Sequence, residues 1–187
     1  MDDPIFETLR DASAWLAESG VPFALIGGLA ATVRGRVRVT EDVDLLLACD
    51  LTAAAALLNG VETSPFEAAF EDAEQLLRTA FILPLDHRET GVRLDLSVGL
   101  TLFEQEAVAR AERQTLNGIQ VFVITAEDLL VMKLLADRPK DQQDIEGIVE
   151  TADERFDWDH CRRLTEEFDR EAGLNLTPRL DGLRGSG

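Results

Sequence analysis

Three features of the sequence bring together groups that can do chemistry. Gly27 and Gly28 stand between the apolar run Pro22-Phe-Ala-Leu-Ile26 and a stretch that reads as helix. Glycines at such a junction let a ligand approach the backbone, and the unpaired N–H groups of a helix N-terminus suit an anion. Asp42-Val43-Asp44 opens the second apolar run, which continues as Leu45-Leu46-Leu47. Alternate residues of a strand point to one side, so both carboxylates project together. A divalent cation relieves their mutual repulsion, and hard carboxylate oxygens suit Mg²⁺ or Mn²⁺. Asp95 is the third candidate, a charge between two leucines in Val92-Arg-Leu-Asp-Leu-Ser97, a strand able to lie beside that of Asp42.

The elements that must position these residues are legible from periodicity and caps. A helix is expected over Phe6–Ser19, where Ile5, Leu9, Ala12 and Leu16 share a face, stopped by Gly20. Strands follow at 22–26 and 42–48, separated by a short helix at 29–34. Asp50 caps an Ala-rich helix over 51–59. Ser64-Pro-Phe-Glu67 has the form of a capping box with proline at the first helical position, which predicts a helix to about Arg78. Residues 80–85 and 92–97 read as a hairpin around the turn 86–91, with His87 in that turn. A helix is expected over 101–112. Residues 114–116 and 119–123 flank Asn117-Gly118, a strong hairpin signal. Thr125-Ala-Glu-Asp128 opens another helix, broken at Pro139; further helices run over 141–151 and from Trp158 to about Glu171, the latter capped by Asp157. The expectation is α/β (α+β): one domain over 1–176, with a small mixed sheet and flanking helices at about 21–125 and a helical C-terminal extension at about 126–172. A flexible tail is expected at 177–187.

Composition narrows the partners. The 187 residues carry 36 acidic against 18 basic side chains, a formal charge of −18. Phosphate backbones are held by Lys and Arg, so a passive nucleic-acid binder is disfavoured, as is an anionic membrane surface. The longest apolar run, Val21–Val33, is too short to span a bilayer. Cys49 and Cys161 read as reduced thiols of a cytoplasmic protein, and Met1-Asp2-Asp3-Pro4 lacks the basic start of a signal peptide. Neither His87 nor His160 has a partner at zinc-ligand spacing, and no phosphate-binding loop ending Gly-Lys-Ser/Thr is present.

Taken together, Gly27-Gly28, Asp42-Val-Asp44 and Asp95 resemble the signature of the nucleotidyltransferase (DNA polymerase β-like) superfamily. The spacer, residues 29–41, is at the long end for that pattern, and Gly28 stands where many members have serine. Ala24-Leu-Ile-Gly-Gly-Leu-Ala30 and Arg38-Val-Thr-Glu-Asp-Val-Asp44 resemble its Gly-Gly subgroup. Glu127-Asp128-Leu129, Lys133, Ala136, Arg138-Pro-Lys-Asp141 and Asp144 resemble the C-terminal motif of the AbiEii/AbiGii-type abortive-infection toxin nucleotidyltransferases. The resemblance implies transfer of a nucleoside monophosphate from a nucleoside triphosphate to an acceptor hydroxyl. Asp42, Asp44 and Asp95 would be the catalytic residues and hold Mg²⁺ or Mn²⁺. Gly27, Gly28, Arg38, Thr40, Lys133 and Lys140 would bind the nucleotide, with Lys133 at the edge of an apolar stripe of Leu129, Met132 and Ala136. It leaves the acceptor open between tRNA, a partner protein and a small molecule, with a cognate antitoxin as a further partner. The alternative is a catalytically inactive nucleotide- or partner-binding protein of the same fold.

Overall fold

The computed structural model describes residues 3–35 and 39–184. They form two compact units, Met1–Leu29 with Val39–Ile124, and Ala30–Arg38 with Thr125–Gly187. Residues 30–35 thus group with the C-terminal helices.

In the first unit, α1 (Pro4–Ser19) starts at Asp3, whose carboxylate accepts from the Ile5 N–H, and ends at Gly20 in the left-handed region. Strand β1 (Phe23–Leu25) leads into α2 (Gly27–Arg34), whose later residues pass into the second unit. Then come β2 (Asp42–Leu47), α3 (Leu51–Gly60), β3 (Phe66–Ala68), α4 (Ala73–Ala80), β4 (Ile82–His87) and β5 (Arg93–Val98). Helix α5 (Leu102–Arg110) and the hairpin β6 (Glu112–Leu116) and β7 (Ile119–Val123) complete it. Asp50 caps α3 as expected, accepting from the Ala53 N–H at 2.8 Å. Thr101 and Glu104 form a reciprocal capping box on α5. Asn117 and Gly118 both take positive φ, 47° and 80°, as a two-residue hairpin turn requires.

Among the described residues, seven strands form one mixed sheet in the order β3-β4-β5-β2-β1-β7-β6. β2 and β5 are parallel and pair Asp44 with Asp95; β4 and β5 are antiparallel and pair Asp86 with Arg93. Directly paired residues face the same side, so alternation sorts the sheet into two faces. One carries Leu83, Leu85, Leu94, Leu96, Val43 and Leu45, all buried, and drives folding through apolar burial. Helix α1 covers it: Trp15 stacks on Phe66 at 5.4 Å, and the Asp11 carboxylate meets His87 Nε2 at 3.0 Å. The other face carries Asp42, Asp44, Arg93, Asp95 and Asp86.

Two expectations in this unit are corrected. Residues 66–68 form a strand, not the helix that Ser64-Pro-Phe-Glu67 predicts. The Ser64 hydroxyl accepts from the Phe66 N–H at 3.1 Å and donates to the Val61 carbonyl, while Glu67 pairs with Arg88 at 2.8 Å. Phe66 is fully buried between Trp15 and His87, and that burial outweighs a local cap worth about 1 kcal/mol. His87, expected in a turn, belongs to β4; its Nδ1 accepts from the Thr90 N–H at 3.1 Å.

The second unit contains α6 (Ala126–Ala136), α7 (Asp141–Thr151), α8 (Trp158–Ala172) and α9 (Leu176–Arg184). Thr125 caps α6 through the Asp128 N–H, and Asp157 caps α8 through the His160 N–H. Thr151 Oγ1 donates to the Arg34 carbonyl at 2.9 Å, beside a close approach of Gly35 to the Gly147 backbone. Helix α9 occupies residues expected as a flexible tail. Leu176 and Leu180 are buried, Asp169 accepts from the Thr177 N–H at 2.9 Å, and Arg179 pairs with Asp137 at 2.6 Å. Among the described residues, no helix is long and apolar enough to cross a membrane.

Candidate active site

Asp42, Asp44 and Asp95 converge on the polar face of the sheet. Each offers a carboxylate oxygen, and the three oxygens lie within 4.8 Å of one another, all half-buried. Strand alternation aligns Asp42 with Asp44, and the parallel register sets Asp95 beside Asp44. Charges this close repel by on the order of 3–4 kcal/mol per pair at an effective dielectric constant of 20. A divalent cation removes that cost, and three converging hard oxygens are the donor set that Mg²⁺ and Mn²⁺ take. The residues therefore fit the metal that the sequence implies.

The glycine pair is built against this triad. The Ile26 N–H donates to the Asp44 carbonyl at 3.0 Å, carrying the β1–α2 junction alongside β2. Gly27 has φ of +66°, and a Cβ there would come within 2.6 Å of the Asp44 Cβ and closer still to its carboxylate. Both backbone and packing therefore require glycine. Gly28 continues the first turn of α2. Thr40 lies at the same site, its hydroxyl donating to Asp42 Oδ1 at 2.8 Å, which fixes the orientation of that carboxylate.

Arg38 lies outside the described residues. Lys133 is the buried centre of the α6 face, not its edge, while Met132 is half-buried and Ala136 exposed. Its side chain is 4% exposed, and the ammonium donates to Asp141 at 3.0 Å and Asp144 at 2.7 Å. Asp128, buried on the same helix, meets His160 Nε2 at 2.9 Å. Burial raises the Asp141 carboxyl, but hydrogen bonds and charge from Arg138 and Lys133 outweigh it and hold the group below the ordinary carboxylate range. The Arg-Pro-Lys-Asp-x-x-Asp segment thus supplies the counter-charges of a buried lysine. Lys140 is exposed at the start of α7.

One group missed in the sequence is Arg93. Two residues before Asp95, it shares that side chain's face and is paired in register with Asp42. Its Nε donates to Asp86 at 2.7 Å, and its guanidinium lies 4.8 Å from the centre of the Phe70 ring. The Arg-x-Asp alternation was a usable signal for it.

This sheet, with a glycine junction and three carboxylates on adjoining strands, is that of a nucleotidyltransferase. The chain belongs to the family described as nucleotidyl transferase of unknown function (DUF2204), whose model matches residues 5–180. No curated protein matches it. The fold is similar to that of an antigenic nucleotidyltransferase-like protein from Paracoccidioides brasiliensis, with a TM-score of 0.53 at 21% identity over 92% of this chain and 91% of that one. It is also similar to ANT(2")-Ia in complex with adenylyl-2"-tobramycin, with a TM-score of 0.53 at 14% identity over 96% and 97% of the two chains. The lincomycin-bound lincosamide antibiotic adenylyltransferase LnuA gives a TM-score of 0.50 at 16% identity, over 76% of this chain and 94% of its own.

Proposed function

We propose that the chain catalyses metal-dependent transfer of a nucleoside monophosphate from a nucleoside triphosphate to an acceptor hydroxyl. The observation that carries this reading is the convergence of Asp42, Asp44 and Asp95 against the Gly27–Gly28 junction. When bound, Mg²⁺ or Mn²⁺ would supply charge neutralisation and polarise the phosphoryl oxygens. Asp42, oriented by Thr40, and Asp44 would hold it, with Asp95 completing the donor set. The first turn of α2 would receive the triphosphate. In the transfer, the acceptor oxygen bonds to the α-phosphorus as the bond to the β-phosphate oxygen breaks, and pyrophosphate departs with that electron pair. Asp95 would take the acceptor's proton. All three carboxylates are present, which favours catalysis over a binding-only role.

The acceptors of ANT(2")-Ia and LnuA are antibiotics, and a small hydroxyl compound is the acceptor class we favour over a tRNA for a chain of net charge −18. The toxin reading rests on the Glu127-to-Asp144 motif; growth arrest on expression, relieved by the product of a neighbouring gene, tests it. A cytoplasmic site of action, where nucleoside triphosphates are available, goes with either reading. The direct test is incubation with each labelled nucleoside triphosphate and Mg²⁺ or Mn²⁺, with RNA, lysate or small hydroxyl compounds offered in turn. In parallel, nucleotide and metal should raise the melting temperature of the wild type and not of a folded Asp42→Asn/Asp44→Asn variant. An equal rise in that variant would place the metal elsewhere.

A further inference from the structure

The strand order lays the polar face out as a sequence of stations. The β1–α2 junction with Gly27 stands on one side of β2, and β5 and then β4 stand on the other. The metal-ligand candidates on β2 and β5 occupy the middle. If the triphosphate lies at the glycine junction, as in the reading above on which this inference rests, the β5–β4 side is where the acceptor must enter.

That side holds Arg93, Asp86 and Phe70. An arginine side chain has five N–H donors in a rigid planar fork. Nε of Arg93 donates to Asp86 at 2.7 Å, and the guanidinium is stacked on Phe70 with 4.8 Å between them. Among the described residues, its Nη atoms have no hydrogen-bond partner, and the side chain is 33% exposed. The fork is therefore held in place from one side and one face while its outer edge stays open. A guanidinium fixed in this way binds an oxyanion with little further loss of conformational freedom. Asp42 is its register partner on the neighbouring strand, about 4.8 Å away between backbones, and Asp95 is two residues along its own. The open edge thus lies within the span of a small molecule from the site of transfer.

We infer that Arg93, braced by Asp86 and Phe70, is the acceptor-side anchor and selects acceptors that carry an oxyanion, a phosphate or a carboxylate, near the hydroxyl that is modified. An amine-rich acceptor such as tobramycin would meet a fixed positive charge there. Arg93 is a specificity-determining residue in this scheme and takes no part in bond making.

The test is a titration of the full chain, followed through the ¹⁵N signal of the Arg93 guanidinium, assigned by its loss in Arg93→Lys. The probes are methyl phosphate, acetate and methylammonium, each with and without α,β-methylene ATP and Mg²⁺. The expected result is a saturable shift with methyl phosphate or acetate, none with methylammonium, and no change in anion affinity when the nucleotide analogue is present. The tighter of the two anions identifies the acceptor's group. Calorimetry on Arg93→Lys should show anion binding weakened about 10-fold or more, because the ammonium cannot reproduce the fork. Absence of a shift overturns the proposal. So does competition between anion and nucleotide analogue, which would move Arg93 to the triphosphate's side. The melting temperature of the same sample reports independently whether the analogue binds. If it does not, the transferase reading fails and the acceptor assignment with it, while the anion titration still reports on Arg93 itself.

Discussion

Gly27→Ala is the sharpest probe of how the site is built, because Gly20 supplies an internal control. Both glycines have positive φ, +66° and +72°. A Cβ at Gly20 would meet nothing within 4 Å, whereas one at Gly27 would press into Asp44. Placing an L-residue in the left-handed region costs about 1–2 kcal/mol at either position. For a chain of this length that corresponds to a fall in melting temperature of roughly 2–8 °C. Gly20→Ala should show this loss and nothing more, retaining transfer and the stabilisation by nucleotide and Mn²⁺. Gly27→Ala carries an added cost. Carbon atoms need about 3.5–4.0 Å of separation, and the Asp44 Cβ would stand at 2.6 Å, so that side chain must retreat by about 1 Å. A displacement of that size in a catalytic group costs about 10²-fold in rate. Scanning calorimetry and a labelled-nucleotide transfer assay on the two variants separate the backbone penalty from the displaced carboxylate. Wild-type transfer and an undiminished Mn²⁺ response in Gly27→Ala would refute the packing of Gly27 on Asp44 as the determinant of the site.

Lys133→Ala should lower the stability of the chain by about 3–5 kcal/mol, since it leaves Asp141 and Asp144 buried without their shared cation; a urea denaturation series checks this, and a change under 1 kcal/mol would contradict a buried ion triad. The Asp141 carboxyl is held below its ordinary value of about 3.9, so its contribution is complete above that pH and is lost as pH falls through the lower folded value; the stability gap between wild type and Asp141→Asn should therefore be constant from neutral pH to about 4 and shrink below it. Asp95→Asn keeps the shape but removes the charge, and should retain nucleotide binding while transfer drops by about 10²-fold or more in a single-turnover assay. Phe66→Ala should cost about 3–5 kcal/mol, confirming that burial of this ring sets the strand at 66–68.

What the sequence determined by itself was local or short-range. Asp42 and Asp44 share a side because strand geometry alternates, and Asn117-Gly118 forms its hairpin because those residue types tolerate positive φ. Asp50, Thr125 and Asp157 cap the helices that follow them through bonds spanning three residues. Such signals need no knowledge of distant neighbours. Tertiary structure decided the rest wherever two local options were close in free energy. Ser64-Pro-Phe-Glu67 satisfies the same local rule as Thr125, yet Phe66 is drawn into the sheet by Trp15 and His87, far away in the chain. Lys133 carries the same charge whether it faces solvent or core, and only the fold of α7 against α6 brings Asp141 and Asp144 to it. Residues 176–184 are too polar to predict as an ordered helix, but Asp169, Thr165 and Asp137 bind them there. Arg93 shows the same division. Its side of the strand follows from alternation, while its brace by Asp86 and Phe70 depends on a sheet register that no local pattern encodes.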